Sequence, residues 1–462
     1  MYPVIMTAAN HPSLSVPICP IRRSRFDVRP RCRAGFAFIL LLFASITFAD
    51  APPKAPFPYV WGTAYHVLPE THNNESGYFS LCEGLDGRIY VGTAEYGVNS
   101  YLVEFDPATE EQRIVIDTNK VCGLDPGSYN EAQSKIHSRN FVGRSGKIYV
   151  CSMESPKADD PTTYPGGYVM TYDPRTDAAE SLGMPYPGQG VIDVVADEGR
   201  GVIYVVLLNA EKPWMLYDMK TGKYSELGPI LSTFSTTLID SRGHAGAITN
   251  GFELAQYDPD TGKLTVRPIE VDGRKLKPGN RSGWVPTWNL GNDGRTAYLI
   301  HMTDPTLYAI DLHSEGPVVK AVSHGPMLTG RNFDSRCALS VAPDGRVYMV
   351  IRVDNETGFG GYYLHHLVRF DPDSSKIDDL GVLAVRNPDF YFKSPGTKHG
   401  HPATNDDHPP YYGYHKLPDD TLTPLYNHLA MIVTRDGTIY VTIIYPFTLL
   451  KIENTASASL PR

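Results

Sequence analysis

The chain has 462 residues, of which 20% are charged, and a formal net charge of −9. No basic stripe interrupts that acidity, so nucleic acid is a poor partner. Aromatic residues make up 11%, with 29 Tyr, which suits short strands with wet outer surfaces.

Residues 1–49 read as a secretory signal peptide. Arg22, Arg23, Arg25, Arg29, Arg31 and Arg33 precede the apolar run GFAFILLLFASITFA, Gly35–Ala49. The run is too short to span a bilayer comfortably and ends in small residues before Asp50. Cleavage after Ala49 predicts a secreted or periplasmic protein with no stable membrane association, and an uncleaved anchor is the alternative. Loss of that segment makes the remainder still more acidic, which favours solubility and says little about fold. Cys82, Cys122, Cys151 and Cys337 follow. They allow three pairings, none with metal-type spacing.

From residue 50 onward one phrase recurs: a short apolar strand, a Gly-bearing turn, and a strand rich in Ile, Val and Tyr. It reads FSLCEGLDGRIYV at Phe79–Val91, KIHSRNFVGRSGKIYV at Lys135–Val150, LSVAPDGRVYMV at Leu339–Val350 and LAMIVTRDGTIYV at Leu429–Val441. Looser copies are VVADEGRGVIYVV, LIDSRGHAGAI and NLGNDGRTAYLI. A third strand then ends in turns such as Phe105-Asp106-Pro107 and Tyr257-Asp258-Pro259, where Pro and Asp favour the turn. The aromatic before that Asp is expected to pack between neighbouring repeats. A polar edge strand completes each unit.

Four short strands per repeat, at roughly 40 to 60 residues, predict an all-β, seven-bladed β-propeller occupying 50–462 as one domain. The blades fall near 76–118, 135–184, 189–228, 233–271, 283–322, 334–383 and 427–453. The last is one strand short, and Tyr59–Leu68 is expected to complete it and remove a free edge. Asn119–Ser134 reads as a loop. The insertion 385–427 is long and rich in His and Tyr, which marks it as functional.

The innermost strands of a propeller line a central channel. Counting back twelve positions from the Tyr of the second strand gives Tyr78, His137, Arg336 and His428, four polar groups expected at one channel mouth. Glu95, Glu154, Asn209, His301 and Arg352 follow second strands and belong near the same face, with Arg139 and Arg331 close by in sequence. Tyr, His and Arg together suit β-elimination from a uronic acid. Arg neutralises the carboxylate, a His removes the C5 proton, and Tyr or His protonates the leaving oxygen. His137 is the favoured base, Tyr78 or His428 the acid, and Arg336 the carboxylate clamp. His399 and His401, alternating in an extended segment, share one face and offer a divalent metal two ligands.

The repeat ring, the leader and the His/Arg/Tyr mouth resemble the propeller-fold polysaccharide lyases, namely the oligogalacturonate and ulvan lyases. The likeness is closest around KIHSRNFVGRSGKIYV and YPGGYVMTYDPRT, Tyr164–Thr176. It implies a secreted, monomeric lyase acting on an acidic polysaccharide or oligosaccharide, with a divalent metal in a Gln-x-x-His-x-His segment. Here Gly396 stands where that motif has Gln. The alternative is a non-catalytic propeller that binds carbohydrate or protein at its channel mouth. A calcium-type lactone hydrolase ranks last, because the channel offers His and Arg rather than acids.

Overall fold

A computed structural model describes residues 53–71, 79–95, 97–125, 127, 131–153, 164–208, 210–229, 231–232, 234–276, 285–393, 413–425, 427–444 and 446–453. Tyr78, Glu154, Asn209, His399 and His401 lie outside the described residues, as do residues 1–52.

The secondary structure is almost entirely antiparallel strand, in consecutive hairpin-linked groups. Group one is Leu81–Glu83, Ile89–Gly92, Tyr101–Phe105 and Gln112–Asp117. Group two opens with an interrupted strand, Lys135–Ile136 and Phe141–Val142, and continues through Ile148–Met153, Val169–Asp173 and Ala178–Gly183. Group three is Val191–Asp197, Val202–Leu207, Trp214–Asp218 and Lys223–Glu226. Group four is Leu238–Ile239, Ala245–Ile248, Glu253–Asp258 and Lys263–Val271. Group five is Pro286–Leu290, Thr296–His301, Asp304–Asp311 and Val319–Pro326. Group six is Leu339–Val341, Val347–Asp354, Tyr363–Asp371 and Lys376–Val385. The C-terminal strands Asn427–Val433, Ile439–Ile444 and Thr448–Ile452 pair in order, and Tyr59–His66 pairs with the last of them.

That N-terminal strand is doubly held. Thr63 to His66 run antiparallel to Lys451 to Thr448, while Tyr59 to Gly62 run parallel to Val382 to Val385 of group six. Its inward residues Val60 and Ala64 join a core with Leu367, Leu383, Val441 and Leu450. Alternation along a strand sends every second side chain to one face, which is why those two are buried while Trp61 is exposed.

Four second-strand tyrosines share a defined job. Three meet the third-strand aromatic of the following group: Tyr90 with Tyr172 at 5.9 Å, Tyr204 with Tyr257 at 6.2 Å, Tyr298 with Phe370 at 6.4 Å. Tyr440 of the C-terminal strands meets Phe105 of group one at 6.2 Å. Offset and edge contacts of this kind add about 1 kcal/mol each beyond area burial. The aromatic before the Asp-Pro turn thus packs between groups, as its recurrence predicts. The four cysteines among the described residues are unpaired, and three of them are buried.

Three segments differ from the sequence reading. The first strand of group two breaks at 137–140, because Asn140 turns inward to take the Ser80 hydroxyl at 2.7 Å and reach the Tyr90 carbonyl at 3.2 Å. The insertion 385–427 contains a helical turn, Pro388–Lys393, and a hairpin, Tyr414–Lys416 with Leu422–Pro424. Asn119–Ser134 likewise contains part of a one-turn helix, Thr118–Val121, capped by Asp117.

Candidate functional site at one end of the channel

Arg352 lies near the end of the second strand of group six, and His365 stands opposite it on the third. Asp334 pairs its backbone with Arg352 through two hydrogen bonds, of 3.0 and 2.9 Å. That fixes the Asp334 carboxylate beside two guanidiniums. Arg336 Nη2 is 3.0 Å and Arg352 Nη2 is 3.3 Å from Asp334 Oδ2. Arg336 sits at φ +33°, held by its own N–H donating to Asp334 Oδ1 at 2.9 Å. Arg352 also donates to Asn427 Oδ1 at 2.8 Å and lies over the Tyr363 ring at 4.5 Å.

His428, beside Asn427, stands perpendicular to His365 with ring centroids 5.3 Å apart. His365 Nδ1 donates to the Pro424 carbonyl at 3.0 Å, so the hairpin 414–424 sets its tautomer and leaves Nε2 as a buried acceptor. Burial drives the His428 imidazole down to about 4. The Asp334 carboxylate opposes that fall, and the Arg352 and Arg336 cations add to it. Burial also holds His365 well below its ordinary range. Both rings are therefore neutral at physiological pH. Burial alone would raise the Asp334 carboxyl, but Arg336, His428 and Arg352 together hold it below its ordinary value.

Of the predicted residues, Arg336 thus pairs with the Asp334 carboxylate, and His428 lies within its electrostatic reach. His137 has different neighbours. It stacks on Phe234 at 5.2 Å and meets the edge of Phe79 at 5.3 Å. Those rings cluster with Val285 and Cys337 across the channel. Burial, with Lys135 second, pushes its imidazole far down. His301 is buried against Phe252, and Arg331 is spent on Glu356 and Asp354 at the surface. Below the aromatic layer lies a cavity of about 290 Å³ whose wall includes Phe79, Arg139, Asn140, Thr287 and Ser340.

Asp334 and His365 escape sequence reasoning. Asp334 stands two residues before Arg336, the spacing of an Asx turn, and that was the available signal. His365 lies within a third strand and carries no local mark. Among the described residues no three His, Cys, Asp or Glu side chains are grouped to hold a metal ion.

No family model matches the chain. No curated protein matches it either. Among solved structures it is similar to the β-propeller domain of Cps50 (Swd1) from Myceliophteria thermophila. The TM-score is 0.50 at 11% identity, over 86% of this chain and 99% of that one. It is equally similar to the WD40 repeats of RRP9, with TM-score 0.50 and 10% identity over 87% and 99%. A virginiamycin B lyase from Staphylococcus aureus, crystallised with quinupristin, aligns at TM-score 0.49 and 10% identity over 84% and 98%. The first two likenesses show the architecture alone: this chain is a β-propeller.

Proposed function

We propose that the chain binds a uronic-acid-containing polysaccharide at the Asp334 cluster and cleaves it by β-elimination. The observation that carries this reading is the convergence of Arg336 and Arg352 on one carboxylate beside the neutral His428. Each guanidinium presents five N–H donors, so a substrate carboxylate can join Asp334 in the shared field. Neutralising that carboxylate acidifies the C5 proton. His428, unprotonated at neutral pH and beside the two guanidiniums, suits the base better than His137, whose ring neighbours are Phe79 and Phe234. Tyr78 takes the role of acid, returning a proton to the leaving oxygen as the C4–O bond breaks and the C4–C5 double bond forms. His399 and His401 remain the candidates for a divalent metal.

The architecture in this reading is a single seven-bladed ring following a signal peptide at 1–49, secreted or periplasmic and monomeric. Its seventh blade consists of the C-terminal strands and Tyr59–His66. Support comes from the antiparallel register of Thr63 to His66, the Tyr440–Phe105 contact and the Arg435–Glu83 ion pair at 3.1 Å.

A second reading is a binding module without turnover. It is favoured by the exposure of only 1% at His428 and 0% at His365, which restricts access to either ring. Incubation with a panel of uronate polymers, followed by the ultraviolet absorbance of unsaturated ends, separates the two. The lyase reading expects product that is lost in Arg336→Ala and His428→Ala. Retention on immobilised polymer without product, lost in Arg336→Ala, leaves the binding module. No product and no retention with the unmutated protein overturns both.

A further inference from the structure

Every turn between a first and a second strand carries an arginine, and six of the seven are matched to a carboxylate. The pairs are Arg88–Asp86 at 3.3 Å, Arg200–Asp197 at 3.0 Å, Arg242–Asp240 at 2.8 Å, Arg295–Asp311 at 2.7 Å, Arg346–Asp344 at 2.7 Å and Arg435–Glu83 at 3.1 Å. The exception is Arg144 in group two. It is exposed and has no carboxylate partner among the described residues.

The reason is local. Glu198, in the neighbouring turn of group three, is the acid placed to answer Arg144, but its oxygens are committed elsewhere. They accept from the Ser145 N–H at 2.7 Å, the Ser145 hydroxyl at 2.6 Å and the Tyr149 hydroxyl at 2.8 Å. Those bonds hold Glu198 below its ordinary range against the opposing effect of burial.

Arg144 lines a cavity of about 530 Å³ at the end of the channel opposite Asp334, since these turns close the other ends of the same strands. Asp197, Glu198 and Asp240 line it too, the first and last of them paired with Arg200 and Arg242. Arg139 borders it too. Its guanidinium is fixed by donation to Thr237 O at 2.5 Å and Trp288 O at 3.4 Å, and it also borders the smaller channel cavity. A cavity of this size suits a small molecule. A planar guanidinium fork matches an oxyanion bidentately.

We infer that this cavity is a second binding site, for a small oxyanion (a carboxylate or a phosphate) held by Arg144 with Arg139 behind it. The inference is independent of the reaction proposed at the other end of the channel. It is tested by calorimetric titration of the full chain at low salt, with inorganic phosphate in one arm and galacturonate in the other. Binding in at least one arm is expected, and the arm that binds names the oxyanion. Arg144→Gln should weaken it by about tenfold or more, as loss of a charge-assisted bond implies. Arg346→Gln, at the matching turn of group six, should leave it within about twofold. Arg144 is exposed, so its variant should keep the unmutated circular dichroism and melting curve. The inference is overturned if neither anion binds, if Arg144→Gln binds as well as the unmutated chain, or if Arg346→Gln loses as much.

Discussion

Asp193 offers a test of the channel interior. Its side chain is 0% exposed, and Oδ2 accepts the Thr237 N–H at 2.6 Å. Among the described residues Oδ1 has no hydrogen-bond partner, and it lies 3.9 Å from Arg139 Nε, beyond hydrogen-bond reach. Burial lifts the carboxyl from 3.8 to about 6, with Arg139 and the Thr237 N–H only partly offsetting it. A rise of roughly two pH units corresponds to about 3 kcal/mol. The folded state therefore holds this proton more tightly than the unfolded chain. Its contribution to stability is fully present below about pH 4 and is lost as pH rises through about 6.

Asp193→Asn keeps the acceptor for Thr237 and removes the buried charge. It should match the unmutated chain near pH 4 and be more stable by up to about 3 kcal/mol at pH 7.5. For a folded unit of ~400 residues that is roughly 3 °C in melting midpoint. His428 acts in the opposite sense over the same range, so the difference between the two proteins, not either profile alone, is the quantity to measure. Paired thermal or urea melts from pH 4 to 7.5 supply it. A variant less stable at pH 7.5, or a difference that does not change with pH, would refute the reasoning.

Three further outcomes follow from the same physical chemistry. His428, lowered to about 4 by burial, contributes stability that is present above about pH 6.5 and lost as pH falls through 4. Histidine-selective NMR should find it unprotonated at pH 5.5, and a midpoint above 6 would contradict the buried placement. Asn387 pairs both amide groups with the backbone of Ala64, at 2.9 Å each. Asn387→Ala should cost about 2 kcal/mol, read as a lower urea midpoint, and no shift would show that Tyr59–His66 is held without it. Glu83→Gln should cost about 1 kcal/mol or less and lose its effect in high salt, because Arg435 is half exposed.

The propeller was legible in the sequence because its causes are local. The turn residues Asp and Gly, the Ile/Val-Tyr strand and the aromatic before Asp each act within a few residues, and repetition amplifies them. The aromatic before Asp could be assigned to packing between repeats for the same reason. The site was legible only in part. Arg336 and His428 were picked out by their level in the repeat; the structure pairs Arg336 with Asp334 and leaves His428 within electrostatic reach of it. Nothing local marked His365, whose neighbours His428 and Pro424 are brought up by the fold from about sixty residues away.

What the sequence determined by itself is the repeating strand pattern, the turns and the level in each repeat at which polar groups stand. Only the tertiary structure decided which charges are already matched. Arg144 and Arg435 hold the same position in equivalent turns, yet Arg435 has its carboxylate in Glu83 and Arg144 has none among the described residues. The difference arises because Ser145 and Tyr149 claim Glu198 first. Hydrogen bonds and ion pairs depend on approaches of a few tenths of an ångström between groups distant in the chain. Strand and turn preferences depend on neighbours along it.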